Sequence, residues 1–144
     1  MVITIDTNVL LAALLSRSGA SHRILRLIVE ERVKIALSTP LILEYDEVLK
    51  RNHILAELKM TSDQVEDVID LLVMLANKHR IYYRLRPNLL DENDNMLVEC
   101  AFVSGSQYLI TSNIKDFTLG ELQIYPYTVI TPGDFYFLWR REYE

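Results

Sequence analysis

The chain has 144 residues, half of them hydrophobic and 24% charged, and carries a net charge of −5. That length suits one domain, residues 1–144, with a core of its own, and the acidic balance argues against a protein that coats nucleic acid by bulk charge. The longest apolar run, Val9 to Leu15, is far too short to span a bilayer. The first basic residue is Arg17, so no charged leader is read, and the lone Cys100 excludes an internal disulfide. The expectation is a cytoplasmic protein with no membrane association and an inert, buried Cys100.

In chain order, Val2–Ile5 reads as a short buried strand that runs directly into Asp6. Asn8–Leu15 and Ala20–Glu31 read as helices separated by the polar Ser16–Gly19, and Val33–Leu37 as a second strand. Thr39 followed by Pro40 reads as an N-cap and first helical position, opening a helix that runs to about Arg51. Thr61-Ser-Asp-Gln64 is a capping box ahead of an amphipathic helix that ends near Lys78. Ile81–Tyr83 reads as a brief strand. The polar cluster Asp91–Asn95 opens a helix over Met96–Val103, closed by Gly105. Tyr108–Thr111 and Thr128–Ile130 read as the last strands, and Thr131-Pro-Gly-Asp134 as a capped start of a C-terminal helix. No repeat, low-complexity segment or linker interrupts this order. Strands alternating with helices predict an α/β fold, a single domain with a mostly parallel sheet flanked by helices on both faces.

In such folds the reactive edge lies at the carboxyl ends of the strands. Asp6 follows the first strand, Glu44 falls early in the helix after the second, Asp94 opens the helix before Tyr108–Thr111, and Asp116 follows that strand with Asn113 just before it. Helical spacing puts Glu44 at one border of the apolar stripe of its helix and Asp46 at the other, with Glu47 facing away; spacing rejects Glu47 and leaves Glu44 and Asp46 tied. Asp94 shares a face with Leu97, Val98 and Ala101, while Asp91 and Glu92 precede that helix. Each acid has a plain structural reading. Asp6 and Asp94 suit helix caps, Glu44 a rim ion pair, and Asp116 a solvated loop. Jointly the four point to one edge. Clustered carboxylates repel one another unless cations neutralise them, and an all-oxygen set suits Mg²⁺ or Mn²⁺. Cys100, His22, His53 and His79 show no zinc-like spacing. Hard divalent ions on carboxylates serve phosphate chemistry.

Four motifs in this order resemble the PIN-domain family: ITIDTNVLLAAL, STPLILEYDEVLKR, DENDNMLVECA and YLITSNIKDF, with the terminal ITPGDF also matching. The resemblance covers nearly the whole chain and is nearest to the branch of VapC-like ribonucleases, toxin components of toxin–antitoxin systems. It implies metal-binding acids at Asp6, Glu44 and Asp94, which breaks the tie in favour of Glu44. Many relatives carry Asp where this chain has Asn113, so Asp116 or Asn113 supplies the fourth position. Thr7, Asn8 and Thr111 match positions that orient the acids through hydrogen bonds; helix capping is the plain alternative for Thr7 and Asn8. The family's activity would be metal-dependent cleavage of single-stranded RNA, with Mg²⁺ or Mn²⁺ as cofactor, a cognate antitoxin as partner and a homodimer as assembly. Arg17, Arg84, Arg86 and Lys115 are the candidate phosphate contacts. The aromatic stretch from Phe135 to Trp139 suits core or dimer packing, with base stacking as the alternative.

Two other enzyme classes place an acid after a first strand. A haloacid-dehalogenase-like phosphatase needs a second Asp two residues on, where this chain has Asn8, and a phosphoacceptor receiver needs paired acids where Val2–Ile5 ends in one. The serious rival is a catalytically degenerate PIN scaffold that binds RNA or a partner protein without cleaving, a reading that Asn113 keeps open.

Overall fold

The computed structural model describes the backbone of residues 1–78, 92–117 and 127–144, and the side chains of these except 77–78, 92–95 and 116–117. β1 (Val2–Ile5) is built from β-branched residues and is buried over Ile3, Thr4 and Ile5. Thr4, polar within this strand, is satisfied by Ser106 at 2.9 Å. α1 (Thr7–Leu15) and α2 (Ala20–Val29) follow, then β2 (Lys34–Leu37). α3 (Thr39–Leu49) is capped by Ser38, whose Oγ accepts from the Leu41 N–H at 3.3 Å. The expected cap, Thr39, is therefore already helical. The hydroxyl one residue upstream reaches the third free N–H, and Pro40 still occupies a turn whose N–H groups have no helical acceptor.

The stretch expected to run as one helix to Arg51 breaks instead. Arg51 turns extended and α4 (Asn52–Leu58) begins, burying Ile54 and Leu58. α5 (Ser62–Leu75) starts with the predicted capping box: Thr61 Oγ1 accepts from the Gln64 N–H at 3.1 Å, and Gln64 Oε1 from the Thr61 N–H at 2.9 Å. It ends three residues before the expected Lys78, because Asn77–Lys78 forms β3 and pairs with Ala36 and Leu37. The expected strand Ile81–Tyr83 lies outside the described residues. α6 (Glu92–Ser104) begins earlier than predicted and takes Glu92 and Asp94 into the helix; Gly105, at φ +68°, ends it in the left-handed conformation. β4 (Tyr108–Ile110), a single 3₁₀ turn (Ile114–Phe117), β5 (Thr128–Ile130) and α7 (Pro132–Tyr143) complete the chain. Thr131 caps α7 through the Asp134 N–H at 3.2 Å.

The sheet has the order β3-β2-β1-β4-β5, with every described pairing parallel. Among the described residues seven α-helices flank it, α2 packing on α1, α5 and α7, and α6 lying against β1, β2 and β4. Ile3, Ile5, Ile35, Leu37, Leu109 and Ile110 fill the middle of one core, which Phe135 and Trp139 of α7 close. From β1 the chain builds outward through β2 to β3, then returns to lay β4 on the other side of β1. Between β1 and β4 the direction of winding reverses, and in open parallel sheets the crevice beyond such a reversal is where ligands bind.

Candidate metal centre

Asp6 is the first residue past β1, at that reversal. Its N–H donates to the Ile110 carbonyl at 2.9 Å, so the β1–β4 ladder extends one step beyond the strand and fixes the residue. Its backbone carbonyl accepts from Val9 and Leu10 at the head of α1, but its side chain makes no capping hydrogen bond. The plain reading of Asp6 as a side-chain cap therefore fails. Its Oδ2 instead accepts from the Thr111 hydroxyl at 2.7 Å. Because β4 stops at Ile110, Thr111 stands just past the strand, where its N–H still bonds the Ile130 carbonyl and its Oγ1 also accepts from the Asn113 N–H at 3.1 Å. One fully buried hydroxyl thus ties the acid to the loop that carries Asn113.

Glu44 reaches the same edge from α3, half-buried, and its Oε2 accepts from the hydroxyl of Thr7 at the head of α1. The adjoining Tyr45 is fully buried and donates its phenol O–H to the Ile5 carbonyl at 2.5 Å, pinning α3 to the last residue of β1. Burial pushes the Tyr45 pKa well above its ordinary value, with Cys100, Asp6 and Glu44 adding to the rise. Both carboxylates are therefore near enough to one phenol to oppose its ionisation. Asp46 points elsewhere, to Lys50 at 2.6 Å, which also binds Glu66 of α5, and Glu47 pairs with Arg51 at 2.7 Å. Of the two acids bordering the stripe, Glu44 is the one turned toward Asp6.

The described hydrogen bond of Asn8 is to the backbone and not to an acid: its Oδ1 accepts from the Ser112 N–H at 3.4 Å and joins α1 to the loop after β4. Asn113, Lys115 and Arg17 are exposed. Asp94 is the third residue of α6, so it is not that helix's N-cap; its side chain and that of Asp116 lie outside the described set, as do Arg84 and Arg86 altogether. Among the described residues no three His, Cys, Asp or Glu side chains gather into a metal site. The donors that do gather are all oxygens: two carboxylates and the hydroxyls that orient them. That set fits a hard divalent cation and not zinc. Cys100 takes no part, since it is fully buried and burial raises its pKa to about 11, leaving an inert thiol.

Sequence reasoning misses the role of one residue and the burial of another. Tyr45 reads only as a member of the apolar stripe, and nothing local signals that its hydroxyl finds a strand carbonyl 40 positions away. Glu99 is 2% exposed in α6. Its signal is present in the sequence, because a charged residue inside Leu-Val-Glu-Cys-Ala is rarely buried without a reason.

A similar solved structure is the crystal structure of VapBC2 from Rickettsia felis bound to a DNA fragment from their promoter, with a TM-score of 0.58, 15% identity, and coverage of 91% of this chain and 98% of that one. At that identity the likeness concerns the fold alone. No curated protein matches the sequence. The PIN domain family model matches residues 2–115, a span that takes in Asp6, Glu44, Asp94, Thr111 and Asn113 and stops one residue short of Asp116. With most of its length inside that match, the chain belongs to the PIN domain family.

Proposed function

We propose that this protein is a metal-dependent endoribonuclease of the VapC type, cutting single-stranded RNA in the cytoplasm and held in check by a cognate antitoxin. PIN domains are in general nucleases that use divalent ions. The observation that carries the reading is the pair of carboxylates, Asp6 and Glu44, each fixed by a threonine hydroxyl at the point where the sheet reverses. Support for an antitoxin comes from the similar fold found in a VapBC2 complex.

Asp6, Glu44 and Asp94 would hold Mg²⁺ or Mn²⁺, with Asp116 or Asn113 completing the set. A cation bound there polarises a phosphodiester oxygen and lowers the pKa of its water. Thr7 and Thr111 keep the two carboxylates aimed, and the residues supply no nucleophile of their own. Asn113, Lys115 and Arg17, exposed around the edge, are the described groups suited to meet phosphate oxygens; Arg84 and Arg86 are proposed for the same task from the sequence. Of the C-terminal aromatics behind the expected homodimer, Phe135 and Trp139 are core residues and Phe137 is exposed.

The test is direct. Purified protein with Mn²⁺ or Mg²⁺ should cut single-stranded RNA internally, and chelation should abolish the cutting. Asp94→Ala should lower the rate at least a hundredfold, while Glu47→Ala, on the exposed Arg51 ion pair, should leave it unchanged. If the natural chain binds metal and cuts no RNA but Asn113→Asp does, the protein is a degenerate scaffold. If neither cuts, the nuclease reading falls.

A further inference from the structure

The sequence is acidic overall, yet five of its ten arginines, Arg23, Arg26, Arg32, Arg140 and Arg141, stand along α2, the turn before β2, and α7. The reason for the clustering is helical. α7 buries Pro132, Phe135 and Trp139, so the opposite stripe, Gly133, Phe137, Arg140 and Glu144, faces outward. This stripe lines an open groove of about 540 Å³, and a second hollow of about 330 Å³ lies between α7 and α2; Tyr136 and Glu144 line both, so the two adjoin. Guanidinium groups lie over the rings along it: Arg32 over Trp139 at 4.4 Å, Arg23 over Tyr136 at 5.4 Å, and Arg141 over Phe137 at 5.9 Å. Two carboxylates in the groove are engaged, Glu30 with Arg26 at 3.9 Å and Glu144 with Arg140 at 3.1 Å. Among the described residues Arg23, Arg32 and Arg141 meet no carboxylate, and each is exposed.

We propose that this groove is a second RNA-binding surface, in which Arg23, Arg32 and Arg141 hold the phosphate backbone and Phe137, 62% exposed, stacks a base. The proposal rests on RNA being the substrate and adds a site remote from the acids. Charge complementarity names the occupant. Guanidinium groups held by rings on one face keep their N–H donors for a bidentate anion, and phosphate supplies one at every nucleotide. A protein partner would need an apolar centre with a polar rim, whereas here the centre itself is cationic. Guanidinium planes alternating with aromatic faces are the pattern of sequence-tolerant single-strand binding. Position fits as well. Gly133 lies two residues past Thr131, at the sheet's carboxyl edge, and α7 carries the groove about 16 Å away from it at 1.5 Å per residue. A strand held there leads toward Asp6 without occupying its crevice.

The test measures binding of a labelled 20-nucleotide single-stranded RNA by fluorescence anisotropy in EDTA, where no cutting occurs. Arg23→Glu with Arg141→Glu should weaken binding at least tenfold, and should flatten the slope of log affinity against log salt by about 0.7 for each phosphate no longer held. Phe137→Ala should weaken it a few-fold at unchanged slope. Arg141→Gln alone guards against misfolding of the double variant and should give a smaller loss of the same kind. Unchanged affinity and slope in variants that keep the wild-type circular dichroism would overturn the proposal. So would equal competition by a poly-glutamate peptide, or light scattering that shows a dimer dissociated by Phe137→Ala. The two readings separate cleanly: unchanged cutting and binding in the variants removes the groove and leaves the nuclease, while arginine-dependent binding by a protein that cuts nothing does the reverse.

Discussion

Tyr45 is the residue on which the geometry of the acids turns. Its phenol is the link between α3, which carries Glu44, and the final carbonyl of β1, which leads into Asp6. Tyr45→Phe keeps the ring and the packing and removes only the donor, leaving a buried carbonyl short of a partner. The expected loss is about 1–3 kcal/mol of stability in a urea titration. Mn²⁺ should also bind more weakly, read by electron paramagnetic resonance of the free ion, because the Thr7–Glu44 pair loses its anchor. Retention of both would show that Thr7 alone sets the position of Glu44. At this scale the sequence is legible where a charge breaks an apolar pattern, as Asp6 does between Ile5 and Val9. It is silent where a group is held from afar. Thr111 looks locally like the last residue of a strand, and only the family resemblance marks its hydroxyl as one that orients an acid.

Helix boundaries show the same division. The capping box at Thr61 and the cap at Thr131 are contacts over three residues, so they can be read directly. Ser38 and Thr39 are adjacent hydroxyls with equal claims, and only the observed bond to Leu41 chooses between them. The break between α3 and α4 carries no Gly or Pro; burial of Ile54 and Leu58 imposes it, and no local rule anticipates that. β3 falls on the polar Asn77–Lys78, chosen by its register beside Ala36 and Leu37 and not by propensity. Gly105 offers a clean test of a terminus that is legible. Its φ of +68° lies in the region that L side chains avoid, and a Cβ built there meets nothing within 4 Å. Gly105→Ala should cost about 1–2 kcal/mol through backbone strain alone, and Gly105→Asn less, both measured in urea. Equal stability of all three proteins would mean that the turn relaxes.

For the molecule as a whole, the proposed function implies that the acid edge sets stability against metal binding. Asp6 and Glu44 are held by threonine hydroxyls at one sheet edge, both within electrostatic reach of Tyr45, and like charges so placed would raise the free energy of the metal-free fold. Asp6→Asn removes one charge and keeps an oxygen that accepts from Thr111. Differential scanning fluorimetry should therefore find the metal-free melting temperature unchanged or slightly higher, and the rise that Mn²⁺ gives the natural protein should disappear. A loss above about 2 kcal/mol without metal would mean that the carboxylate's bond with Thr111 outweighs the repulsion. No helix among the described residues is long and apolar enough to cross a membrane.

The central place of β1 also has a temporal meaning. It emerges from the ribosome before β2 and β4 and can pair with β2 early, since Val2 lies beside Lys34, but its other flank stays open until β4 arrives. Asp6 meets the hydroxyl that aims it only when the chain has lengthened by 105 residues. At about 5–20 residues per second that wait is roughly 5–20 s. During it the nascent protein exposes an unpaired strand edge, an invitation to aggregation that a holdase would have to shield. In the same interval the acid edge is not yet assembled, so under the proposed function an unfinished chain would be harmless to the message that encodes it.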